Sequence, residues 1–120
     1  MAKDLRQFLA QLDRDFPQEV IRIKKPVDPA KFELTALLAQ LERAGKFPLL
    51  VLEQPLNLLG ARTPFHFASN IYALRSRCAQ ALGLGAKDWG LPLSLEYAKR
   101  ETQLLPPQIV DRSAAPVKEV

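Results

Sequence analysis

The feature that most constrains this chain is a strand, a capped helix and a second strand in direct succession between Glu19 and Glu53. Glu19-Val20-Ile21-Arg22-Ile23-Lys24 is short and β-branched, with apolar and basic residues partly alternating, and reads as a strand ending at Lys25-Pro26. Pro26-Val27-Asp28-Pro29 then predicts a helix start. Asp28 can accept amide hydrogens as N-cap, and Pro29 at the first helical position lacks only a donor that would go unused. The helix carries Leu34, Leu37, Leu38 and Leu41 on one face and stops at Gly45, which suits a left-handed C-cap. After Pro48, the continuous apolar run Leu49-Leu50-Val51-Leu52 predicts a strand buried on both faces. This order implies a right-handed crossover between two parallel strands.

The flanking sequence adds to that unit. Leu5, Phe8, Leu9 and Leu12 fall on one helical stripe, Asp4 is placed to cap it, and Phe16-Pro17 ends it. Glu53 to Thr63 holds Pro55, Asn57 and Gly60 and reads as a loop. Pro64-Phe65-His66-Phe67-Ala68 predicts a third strand. Ser69-Asn70 predicts the start of a helix with Ile71, Leu74, Cys78 and Ala81-Leu82 inward and Arg75 and Arg77 outward, closed by Gly83. Lys87 to Arg100 reads as one further helix, with Trp89 near its start. The expected fold class is α/β (α+β): a small, mostly parallel or mixed three-stranded sheet with about four packing helices, including a βαβ unit.

The C-terminal strip from Pro106 to Val120 is extended in character. Pro106, Pro107 and Pro116 exclude a helix there. The expected organisation is a domain over 1–101 and an extended Pro-rich linker or strand over 102–120. Such a strip leads into something, so the chain reads as the front domain of a longer protein.

Composition excludes several functions. No uncharged stretch approaches the length of a membrane span, and the charged N-terminus lacks a secretory core. The single cysteine, Cys78, cannot pair internally and suits a reducing compartment, so a cytoplasmic protein is expected. The net charge of +4 comes from 17 basic against 13 acidic residues scattered along the chain. No run alternates basic residues with exposed aromatics, so no nucleic-acid partner is expected.

No recognisable active site emerges from the residues. Cys78 and His66 are the only residues of their types and lie on different predicted elements. Cys78 reads as a small hydrophobe on an apolar stripe, and His66 as a surface or satisfied histidine. One His and one Cys without clustered acids cannot furnish a zinc site. Gly83 and Gly85 follow a helix rather than a strand and complete no phosphate loop. Glu96 and Glu101 do not share a helical face, and Lys99 and Arg100 beside them suggest solvated pairing. The expected catalytic, cofactor-binding and metal-ligating residues in this chain are therefore none.

Several segments carry a resemblance when taken in order. They are Asp4-Leu5-Arg6-Gln7-Phe8-Leu9, Val20-Ile21-Arg22-Ile23, Pro26-Val27-Asp28-Pro29, the stretch from Asn70 to Leu84, and the strip holding Pro106-Pro107, Ile109-Val110 and Ala115-Pro116-Val117-Lys118-Glu119-Val120. Together they resemble the N-terminal domain of the UbiD-type carboxy-lyases, the prenylated-flavin-dependent decarboxylases. Tyr72-Ala73 departs from the Phe-Gly that family members often carry. Leu49 to Glu53 also lacks the phenylalanine common before its acid.

The resemblance implies a parent that reversibly decarboxylates aromatic or α,β-unsaturated acids with prenylated FMN and a divalent metal. Cofactor, metal and catalytic set would belong to a central flavin-binding domain beyond Val120. Glu53, Arg75, Arg77 and Glu119 match none of that set and receive no catalytic role. On this reading the 120-residue chain alone is inactive. Its partner is the downstream flavin-binding domain or a partner subunit, within a parent that can be homo-oligomeric. The alternative is a stand-alone interaction module docking on a larger partner, to whose sheet its terminal strip would add a strand.

Overall fold

In the computed structural model, which describes residues 4–114, helix α1 spans Leu5–Asp15. The Asp4 carboxylate accepts the Gln7 amide hydrogen at 2.8 Å, the N-cap bond that its position predicts. Phe8 and Leu12 are buried, and the chain leaves the helix at Phe16, ahead of Pro17.

Strands β1 (Val20–Ile23), β2 (Leu49–Leu52) and β3 (Phe67–Ser69) form one sheet in the order β1-β2-β3. β1 is parallel to β2, with Val20 opposite Leu49 and Ile23 opposite Leu52. β3 is antiparallel to β2, with Leu50 opposite Ser69 and Leu52 opposite Phe67. The sheet is thus mixed. All four β2 residues are buried, as the unbroken apolar run predicts. Alternation sends Leu49 and Val51 to one face and Leu50 and Leu52 to the other. Leu49 and Val51 join Phe8 and Leu12 in the core, with Leu9, Phe16, Val20 and Ile71 packed against them. Helix α1 therefore covers that face.

Helix α2 spans Glu33–Arg43 and fills the crossover between β1 and β2, but it begins later than its cap residues predict. Asp28 does accept the Ala30 amide hydrogen at 3.0 Å, with Pro29 next in line. Those residues open only a 3₁₀ turn, Pro29–Lys31, because Lys31 and Phe32 donate to carbonyls three residues back. Phe32 then adopts φ 57°, which breaks the turn before the helix starts. The Glu33 carboxylate reaches back to the Asp28 amide at 2.7 Å and ties the two pieces together. Leu34, Leu37, Leu38 and Leu41 are only half-buried, and no residue of α2 is fully buried. Gly45 ends this region at φ 66°, and the Lys46 amide returns to the Leu41 carbonyl at 2.9 Å.

The third strand is shifted from its expected place. Thr63 Oγ1 lies 2.9 Å from the Pro55 carbonyl oxygen and 3.1 Å from that of Phe65, holding residues 63–65 in a bend. The ladder with β2 therefore starts at Phe67. Helix α3 (Arg75–Ala81) also starts late. Asn70 takes φ 60°, a left-handed conformation that asparagine tolerates, so the chain turns there and Ile71 and Leu74 precede the helix. Helix α4 spans Leu91–Glu101 and takes Pro92 in its first turn. Lys87 lies ahead of it in a turn closed by the Asp88 carboxylate on the Gly85 amide, 2.9 Å.

Residues 103–111 lie outside helices and strands, and a 3₁₀ turn follows at Arg112–Ala114. Ala115 to Val120, the last part of the Pro-rich strip, fall outside the described residues. Among the described residues, four α-helices and a three-stranded mixed sheet make a small α/β fold.

Candidate functional site

Arg77 corrects the sequence reading most sharply. The helical pattern predicts an outward side chain, and Arg77 is completely buried. Its Nε donates to the Ile71 carbonyl at 3.1 Å, Nη1 to the Glu19 carboxylate at 3.2 Å, and Nη2 to the carbonyls of Asn70 (3.1 Å) and Phe47. One guanidinium thus joins the entrance to β1, the entrance to β2 and the turn after β3. A charge can be buried here because it is paired and every nitrogen is hydrogen-bonded. The inward face expected for this helix was phased on Ile71 and Leu74. Both precede the helix, and the true buried set is Arg77, Ala79 and Gln80.

The remaining candidates are dispersed. Cys78 is half-buried, with Sγ 3.6 Å from the Tyr72 carbonyl, and it lines a groove of about 590 Å³ between α3 and α4 with Arg75, Leu82, Leu93 and Tyr97. His66 is exposed and lines a different groove, between α1 and β3. The structure does not bring the two together. Glu96 forms an ion pair with Arg100 at 2.7 Å, one helical turn on, whereas Glu101 shares no such bond with it. Hydrogen bonding from Arg100 holds the Glu96 carboxyl below the usual carboxylate range, helped by the charges of Lys99 and Arg100. Gly83 sits at φ 82° at the end of α3, the C-cap role its position predicts. Glu119 lies outside the described residues.

No three His, Cys, Asp or Glu residues converge among the described residues. Among the described residues no helix is long and apolar enough to cross a membrane.

What the fold does present is apolar surface. Beyond the carboxyl ends of β1 and β2, where Val27 bridges Pro55, a groove of about 340 Å³ is lined by Leu34, Leu52, Leu56, Leu58, Phe65 and Phe67. Leu58 is 77% and Phe65 59% exposed, too much for residues of a finished core. In residues 103–111, Leu104, Leu105 and Ile109 are each nearly nine-tenths exposed or more.

A family model described as the 3-octaprenyl-4-hydroxybenzoate carboxy-lyase N-terminal domain matches residues 12–90, more than half of the chain. The matched stretch contains all three strands, Arg77 and each group that Arg77 contacts. No curated protein and no solved structure matches the chain.

Proposed function

We propose, for a chain that belongs to the N-terminal domain family of the 3-octaprenyl-4-hydroxybenzoate carboxy-lyases, that it is a supporting domain without catalytic residues of its own. It would pack beside a flavin-binding unit and hold that unit in position. The reaction served is the decarboxylation, in either direction, of aromatic or α,β-unsaturated acids. Prenylated FMN and a divalent metal would supply the electron-accepting chemistry elsewhere. Residues 102–120 would connect the domain to that unit, or the unit would be a separate cytoplasmic subunit.

The observation that carries this reading is the apolar surface of α2 and of the groove beyond β2. A helix bearing four stripe leucines without one fully buried residue has a face suited to another body. The alternative, a stand-alone interaction module, draws support from the exposed Leu104, Leu105 and Ile109, in a segment outside helices and strands that could add to a partner's sheet.

Titration of the purified chain with FMN and with prenylated FMN tests the proposal. Neither should bind stoichiometrically, and the chain should show no decarboxylase activity. Tight one-to-one flavin binding would sink the claim that the cofactor is held elsewhere. An open reading frame continuing into a flavin-binding domain separates the linked arrangement from the stand-alone module.

A further inference from the structure

Side chains of β1 alternate between the faces of the sheet, and Arg22, in register with Val51, lies on the face covered by α1. There the first turns of α1 and the segment Pro64–Ala68 enclose a groove of about 430 Å³. Leu5, Leu9 and Ala68 supply accessible aliphatic surface over the buried Val51, and Arg6, Arg22 and His66 supply donors from three separate parts of the chain. No carboxylate lines the groove. Arg22 is paired with Asp13, which lies outside the lining. Arg6 and His66 have no hydrogen-bond or ion-pair partner among the described residues.

The charge sum defines the occupant. Two guanidinium charges, less that of Asp13, leave one positive charge facing an aliphatic surface, with the His66 imidazole as a further donor. A dianion such as phosphate would exceed that charge, and a neutral hydrocarbon would leave Arg6 uncompensated. The geometry points to a binding site for a small amphipathic carboxylate. Its chain would lie on Leu5, Leu9 and Ala68, and its carboxylate would accept hydrogens from Arg6, His66 and Arg22. The groove is of ordinary size for a small-molecule site. This site is independent of the supporting role proposed above.

Amide NMR on the isotopically labelled chain, titrated separately with hexanoate, hexan-1-ol, acetate and inorganic phosphate, tests it. Hexanoate should shift Arg6, Leu9, His66 and Ala68 saturably and bind about tenfold more tightly than any of the other three, as expected for a charge-assisted contact at a partly exposed site. Arg6→Gln combined with His66→Gln should abolish the preference over hexan-1-ol, whereas Arg75→Gln on α3 should leave it intact. Both replaced side chains are exposed, and unchanged thermal melting would show that the fold persists. Equal binding of hexanoate and hexan-1-ol, shifts confined to the groove between α3 and α4, or a preference that survives the double substitution would overturn the assignment. So would a polyglutamate peptide that binds this groove more tightly than hexanoate, because the site would then serve an acidic protein segment.

Discussion

Arg77 on α3 donates to the Glu19 carboxylate at 3.2 Å, linking positions 58 residues apart in the sequence. The guanidinium is fully buried, whereas Glu19 keeps about a fifth of its side chain in solvent. The two ends of this pair are therefore unequal, and their removal should cost different amounts.

Arg77→Met should lower the unfolding free energy by about 3 kcal/mol, because the part-buried carbonyls of Ile71, Asn70 and Phe47 lose their donor and Glu19 loses its buried partner. Glu19→Gln should cost about 1 kcal/mol, since the amide can still accept a hydrogen bond and water reaches the site. Urea denaturation measures both. Equal costs would contradict the asymmetry.

Leu50→Ala removes a side chain with no solvent exposure from the central strand and should destabilise by about 3 kcal/mol. Leu104→Ala, at 88% exposure, should change stability by no more than about 0.5 kcal/mol. Parallel melts of the two variants check the contrast.

Phe32→Gly should be neutral or stabilising, by up to about 1 kcal/mol. The ring is 72% exposed and little packing is lost, while its left-handed backbone favours glycine. A substantial loss of stability would show that the ring is packed. Gly83→Ala applies the same reasoning in reverse. No atom stands within 4 Å of the added Cβ, yet φ 82° should make it about 1 kcal/mol destabilising.

The Glu96 carboxyl should titrate below the ordinary glutamate range in carbon-detected NMR, and Arg100→Gln should bring it back up. The folded value is depressed. The pair therefore stabilises fully above the unfolded glutamate value, and its contribution is lost as pH falls through the lowered one. A midpoint unmoved by the substitution would dissociate the shift from Arg100.

The legible parts of the fold are those decided within a few residues. Asp4 and the Leu5–Leu12 stripe specify α1 locally, Leu49–Leu52 announces a central strand, and Gly45 and Gly83 mark helix ends. The later elements depend on turns that propensity alone does not settle. Phe32 and Asn70 both go left-handed, and each displaces the start of a helix. That displacement changed the face assigned to Arg77, whose partners come from segments the sequence gives no local reason to join to it. The groove holding Arg6, Arg22 and His66 was equally hidden, because only the sheet brings α1, β1 and the approach to β3 together. The family resemblance is readable because its motifs are contiguous stretches, of which those from Val20 to Pro29 and from Asn70 to Leu84 lie within the matched residues 12–90, whereas the strip from Pro106 lies outside them.

The position of Arg77 also bears on the order of events during synthesis. A nascent chain that has released only its first two strands already holds Glu19 and Phe47, but the cation that clasps them has not yet left the ribosome. The early half must wait, with its apolar strand incompletely covered, until residue 77 clears the exit tunnel. Slowing translation before that codon would lengthen the interval in which a chaperone or a protease meets the unfinished sheet.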